Sequence, residues 1–389
     1  MTTKVVDAPP ALPTAIPART ASPYLMAICV YVMVRTTGYL VLLFLADHHD
    51  RSIIQMLTSW DGDWYLAIAE HGFDGVPDSH RDAAGQHTPV TPYGFFPAFP
   101  MLVRAVAATG MGVEWAGLIV SFLAGLAATL AIFRIGRLVG GSERVGLVLV
   151  ALWGAAPMSI VLSMTYTEAL FTACAAWALV GVLEKRWYLA GLCSVAAGLT
   201  RSTAVVVVAV VGVAALIAVL RNNDRWRAIV CVVICPLGLL GWWGLVAYKA
   251  GSLTGWFDIQ REGWFTRFDG GVQTLEFVGD TLATGKSLFE SIVVLALLTA
   301  VALAVLSGLN RLPWPLVAYG AGVVIVVIGT AGLTYLKGRF LLPGFTLLIP
   351  VAIGLANRQP RTTIAAVSTY TLIFAWFNAY ALTGWPLAV

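Results

Sequence analysis

Runs of apolar residues, each about 20 long, recur along the chain from residue 24 to residue 384. A run of that length crosses a hydrocarbon core of about 30 Å as a helix. Helices suit such unbroken runs, because every backbone N–H and C=O must be satisfied inside the segment. The pattern predicts spans at 24–46, 115–138, 145–163, 166–184, 187–200, 203–220, 228–249, 288–307, 314–333, 341–356 and 362–384, eleven in all. The first span exceeds a typical signal-peptide core and carries Arg35, so it reads as an uncleaved anchor. Two longer loops interrupt the spans. The first covers 47–114, polar up to residue 97, then with a short interfacial helix at Met101–Ala108 that carries Arg104. The second covers 250–287. Residues 1–23 hold five prolines and predict a disordered tail. The expected organisation is that tail and a single all-α, polytopic domain over 24–389.

Composition sharpens this picture. Of 389 residues 59% are hydrophobic and 11% are charged, which no water-soluble domain of this size needs. With the N-terminus in the cytoplasm and the spans alternating, the inner loops hold thirteen basic residues against four acids. The outer side holds the other sixteen acids and ten basic residues. That asymmetry obeys the positive-inside rule and turns both long loops outward. The expected site is therefore extracytoplasmic. All five cysteines lie within hydrophobic spans, and they predict neither a disulfide framework nor a zinc site.

The chemistry gathers where polar residues meet the outer face. Ser59–Phe73 holds Asp61, Asp63, Glu70 and His71 among Trp60, Trp64 and Tyr65. A helix fits Trp64–His71, with Gly72 as its stop. If it begins near Asp61, then Asp61, Trp64, Tyr65 and Ile68 share one face and Asp63 falls on another. Asp61 then either caps the helix or serves as a base or ligand. In Ser163–Phe171, Thr165 and Glu168 have capping-box spacing. Arg201 in Gly198–Ser202 suits helix C-terminal carbonyls or a phosphate. Lys337 and Arg339 flank Gly338 and suit a phosphate or lipid headgroups. The aromatics of Gly255–Phe265 suit sugar stacking or an interfacial belt. No GxGxxG, Walker A or HExxH motif is present. An outer-face transferase without a nucleotide site needs an activated donor delivered in the membrane, and a lipid-phosphate sugar fits.

Five blocks in order resemble the PIG-V family, which comprises GPI mannosyltransferase II and its bacterial relatives among the GT-C membrane glycosyltransferases. They are Trp60-Asp61 with Trp64-Tyr65-Leu66 and Ile68–Phe73, then Phe95–Pro100, Tyr166–Phe171, Thr200-Arg201-Ser202 and Gly338–Pro343. The resemblance implies a GT-C fold, an outer-face site and a polyprenyl-phosphate-mannose donor. It also implies an acid directly after Trp acting as base, here Asp61, while Asp63 occupies a freer position. The Ala/Gly/Val-rich composition and short loops point to a bacterial plasma membrane. A phosphoinositol-mannoside or lipoglycan type of acceptor is then expected rather than a GPI precursor.

The expected enzyme is an inverting mannosyltransferase. Asp61 takes the acceptor proton, while Arg201, Lys337 and Arg339 hold the leaving phosphate. Asp63, Tyr65, His71 and Glu168 support Asp61 or orient sugar hydroxyls. No protein-held metal site is expected, and a divalent cation bridging Asp61 and phosphate stays open. The rival reading is a transporter or lipid flippase. Arg35 is the only charge well inside a span, with no acid at depth and no clear inverted repeat, which disfavours transport.

Overall fold

The computed structural model describes residues 22–285 and 287–387. The chain enters on a long helix, α1 (Ser22–His48). The expected tail at 1–23 lies outside the described residues except for Ser22 and Pro23, which open α1. The first long loop then folds into α2 (Ile53–Leu57), α3 (Asp61–His71) and α4 (Ala98–Ala107), with 3-10 turns at Phe73–Gly75 and Thr91–Gly94. Two aspartates in the first turn of α3 and His71 in its last complement the helix dipole. Gly72, at φ 78°, ends it.

Helices α5 (Val113–Gly140) and α6 (Glu143–Gly154) follow as a hairpin. Ser142 caps α6 by accepting from the Val145 N–H at 3.3 Å. A strap containing the 3-10 turn Ser159–Ser163 leads to α7 (Glu168–Leu183). Next come α8 (Trp187–Gly198), α9 (Ala204–Leu220), α10 (Arg225–Ile234) and α11 (Leu237–Ala250), the last two separated at Cys235-Pro236. The second long loop forms α12 (Gly255–Trp264) and α13 (Val272–Thr284). The chain closes with α14 (Leu288–Leu309), α15 (Trp314–Gly329), the four-residue α16 (Lys337–Phe340), α17 (Ile349–Ala356) and α18 (Pro360–Thr383). Among the described residues the only extended pairing is one antiparallel bridge, Phe268 with Thr330.

Each of the eleven predicted spans falls on helical structure. Length separates them. Five helices are long and apolar enough to cross a membrane, Arg225–Ala250 counting as one; the bent pair Thr334–Phe340 and Phe345–Ala356 makes up to six. The others are shorter: α7 spans 16 residues and α8 spans 12. At 1.5 Å per residue these reach only about 18–24 Å. They sit inside the bundle, where α7 packs against α5, α8 and α9. The broken ends of these short helices leave irregular backbone at one end of the molecule, which is tolerated where it lines a cavity.

Close approach relies on small residues. A Cβ on Gly136 of α5 would stand 2.6 Å from the Gly146 Cα of α6, so the two backbones touch. Arg35, without an acid partner in the sequence reading, donates to the Gly154 carbonyl (3.0 Å), Ser159 Oγ (3.1 Å) and Ser163 Oγ (2.6 Å). It thus ties α1 to the strap that leads into Glu168. At the far end of α7, Arg134 grips Glu184 through two hydrogen bonds of 2.5 and 2.8 Å.

Candidate active site

The two long loops fold onto each other. The Gly94 carbonyl accepts from Gln260 Nε2 at 3.0 Å and from Trp256 Nε1 at 3.3 Å, docking α12 on the first loop. Glycine eases this fit, since a Cβ at residue 94 would stand 3.0 Å from the Trp264 ring and push α12 side chains aside. The second loop is pinned to the end of α15 by Asp269 N–H on the Gly329 carbonyl (2.9 Å) and Ala331 N–H on the Arg267 carbonyl (2.7 Å). Between these loops and the helix ends lies a cavity of about 580 Å³.

Asp61, Arg201, Lys337 and Arg339 all line it. The Arg339 guanidinium, 5% exposed, forms an ion pair and hydrogen bond with Asp61 Oδ2. It also lies 3.8 Å from Glu168 Oε1 and over the rings of Tyr166 and Phe340. Glu168, 1% exposed, pairs with Arg201, which also donates to Thr167 Oγ1 at 3.1 Å. Asp61, Arg339, Glu168 and Arg201 thus form one alternating chain of charge. Two carboxylates and two guanidiniums pair in charge in a place where an unpaired charge would be costly. Lys337 sits beside this chain. Its Nζ donates to the carbonyls of Val327 (2.7 Å) and Thr330, where α15 ends.

Two local expectations change here. The helix at Ser59–Phe73 starts at Asp61, the earlier of the two starts considered, but Trp60 rather than Asp61 is its N-cap, with no side-chain capping bond. The capping box of Thr165 and Glu168 does not form. Thr167 is the N-cap of α7, without a side-chain capping bond. Thr165 Oγ1 donates instead to the Leu57 carbonyl at 3.4 Å, and Glu168 is taken by the two arginines. Paired guanidiniums outcompete a single backbone N–H for a buried carboxylate. Arg201 likewise finds a carboxylate rather than helix carbonyls, whereas Lys337 does hold carbonyls.

The supporting residues divide. Tyr65 lines the cavity, and burial pushes its hydroxyl well above its ordinary value. Asp63 also lines the cavity, from the other flank of α3, 66% exposed, with Oδ2 at 3.0 Å from His80 Nε2, itself in the lining. Asp61 and Asp63 therefore turn to different partners, consistent with their separate helix faces. His71 stands at the end of α3, 41% exposed, 3.9 Å from Glu70, and is not among the residues lining the cavity. Among the described residues no group of three His, Cys, Asp or Glu gathers as a metal site.

His80 itself was not singled out by the sequence reading. It lies in a polar loop with no motif around it, and only the fold brings it to Asp63 and 5.6 Å from the Trp64 ring. Its carbonyl is bonded to His87 Nδ1 at 2.6 Å. A histidine in a loop carries no periodic signal, so nothing local marks it.

No protein-family model matches the chain, and no curated protein matches it in sequence. Among solved structures it is similar to ArnT from Cupriavidus metallidurans, whose crystal structure is bound to undecaprenyl phosphate. Identity is 14%, the match covers 94% of this chain and 76% of ArnT, and the TM-score is 0.53. That likeness, together with the helices described above, shows that this chain has the all-α, polytopic membrane fold seen in ArnT.

Proposed function

We propose that the protein is a membrane glycosyltransferase that takes its sugar from a polyprenyl-phosphate donor. The observation that carries this reading is the cavity in which Asp61 meets the cations Arg201, Lys337 and Arg339. An acid beside buried cations provides both a proton acceptor and a seat for a leaving phosphate. The undecaprenyl phosphate in the similar structure of ArnT supports a lipid-phosphate donor. The PIG-V resemblance supports mannose as the sugar and a phosphoinositol-mannoside or lipoglycan type of acceptor. The charge asymmetry of the loops supports an extracytoplasmic site in a bacterial plasma membrane.

In this reading Asp61 is held by Arg339 until the donor arrives. The donor phosphate then takes over the guanidinium, and the freed carboxylate faces the acceptor hydroxyl. The acceptor oxygen attacks the anomeric carbon, Asp61 takes its proton, and the bond from that carbon to the phosphate oxygen breaks. One displacement inverts the centre. Arg201 and Lys337 add positive charge around the departing phosphate. Asp63 and His80 lie on the acceptor side, and Tyr65 and Glu168 fix the arrangement.

The test is transfer of label from polyprenyl-phosphate-mannose to a total lipid extract by the purified protein in lipid. Wild type yields a labelled product, and Asp61→Asn lowers the rate by about 10²–10⁴-fold, the usual worth of a general base. Equal rates would leave Asp61 as a structural residue. Movement of intact lipid across vesicles without transfer would favour the flippase.

A further inference from the structure

Trp60 has a backbone conformation that its residue type disfavours, at φ 55° and ψ −118°. A bulky side chain at positive φ is a genuine outlier, and such strain persists only where the surroundings over-determine it. The surroundings here do so from both sides. The Leu57 carbonyl accepts from the Thr165 N–H at 3.0 Å, and the Ser59 carbonyl accepts from the Gly62 N–H at 3.0 Å and the Tyr166 hydroxyl at 3.4 Å. The Trp60 carbonyl accepts from the Asp63 N–H at 3.1 Å. Gly62 packs so closely on Thr165 that a Cβ there would overlap the threonine hydroxyl. The turn is thus interlocked with the strap that delivers Glu168.

The strain has a visible result. It sets the indole in the cavity wall beside Asp61. The other tryptophans of that wall have ring neighbours: Trp64 lies against Phe95 at 5.2 Å, Trp264 against Phe95 at 5.4 Å, and Trp256 against Phe96 at 5.6 Å. Trp60, half-buried, packs one side against the hydrophobic core but stacks on no other ring among the described residues. Its side chain also makes no capping bond to α3, so the N-cap position does not explain the choice of tryptophan. A flat apolar face held next to a carboxylate fits the apolar C–H face of a pyranose, whose hydroxyls then reach polar neighbours.

Resting on the glycosyltransferase reading, we propose that Trp60 is the platform on which a pyranose ring stacks at the reacting centre. The ring belongs either to the donor or to the acceptor, and the two sources separate by experiment.

Binding is measured in lipid nanodiscs with labelled polyprenyl-phosphate-mannose, polyprenyl phosphate of the same chain length, and an alkyl mannoside as acceptor-side probe. For a donor ring, Trp60→Ala weakens the sugar-bearing donor roughly tenfold and leaves sugar-free polyprenyl phosphate unchanged. For an acceptor ring, both lipids bind as in wild type and the alkyl mannoside is lost. Trp60→Phe keeps most of the affinity in either case. Equal weakening of all three probes, or of none, overturns the platform. Wild-type protein that binds neither polyprenyl lipid overturns the lipid-donor reading and the platform with it. A second measurement tests the strain. Trp60→Gly melts at a higher temperature than Trp60→Ala, because glycine adopts positive φ without cost. The reverse order removes the strain and the proposal.

Discussion

A carboxylate gripped by a guanidinium has its lone pairs occupied by the cation's N–H groups. Asp61 is in that state beside Arg339. The other carboxylate beside Arg339, Glu168, is buried still more deeply, between Arg339 and Arg201. Truncating one member of a buried pair leaves the other uncompensated, which costs about 3–5 kcal/mol. Glu168→Gln and Arg201→Gln are therefore each expected to lower the thermal midpoint sharply. The double variant recovers part of the loss, and a double-mutant cycle of unfolding measurements reads the coupling. A surface carboxylate behaves differently. Hydrogen bonds from the Tyr93 hydroxyl (2.7 Å) and the Lys249 ammonium (3.1 Å) hold the Asp74 carboxyl below its ordinary range. A depressed folded pKa contributes stability that is fully present above the unfolded value of about 3.9. It is lost as pH falls through the lower folded value. The protection factor of the Phe73–Gly75 amides, which removes the intrinsic pH dependence of exchange, is expected to be flat from neutral pH down to about 4 and to fall only below that. Asp74→Asn removes the acid-dependent step.

At the scale of elements, the site is built by interlocking rather than by any one helix. The turn before α3 is fastened to the strap before α7, and α12 is fastened to the first loop at Gly94. Gly62→Ala would drive a methyl group into Thr165. Overpacking of this kind costs about 1–3 kcal/mol. Here it also shifts Asp61, so the expected result is a lower melting temperature and weaker transfer together. Compensation by Thr165→Ala, which removes the hydroxyl the methyl group would meet, would trace both effects to this contact. The helix at Ser59–Phe73 was legible because its aspartates, its apolar face and Gly72 agree. The capping box was misread because spacing alone does not reveal that two arginines, far off in sequence, compete for Glu168.

For the whole molecule, the helix ends sort charge. The cavity lies at one end of α7, while the Arg134–Glu184 pair lies at the other, about 24 Å away along the axis. The proposed orientation puts the cavity outside the cell. Single cysteines at Asp78, whose side chain is 98% exposed, and at Asn222, in the loop after α9, test it in a cysteine-free background. An impermeant thiol reagent applied to intact cells is expected to label position 78 and not position 222. The opposite pattern inverts the topology and the proposed function's address.

By itself the sequence determined the class of this protein. Apolar runs long enough for a bilayer, polar interruptions and skewed loop charge are local or additive properties, and they survive any rearrangement of distant contacts. The same locality gave Asp61, Arg201, Lys337 and Arg339 as candidates, since charge in so apolar a chain is conspicuous. Tertiary structure decided the rest. It chose Arg339 as the partner of Asp61 across 278 residues, carried His80 to Asp63, left His71 outside the cavity, and forced Trp60 into a backbone state no propensity predicts. These are pairings between segments remote in sequence. Their energies depend on burial and on competing partners, and neither exists until the helices have packed.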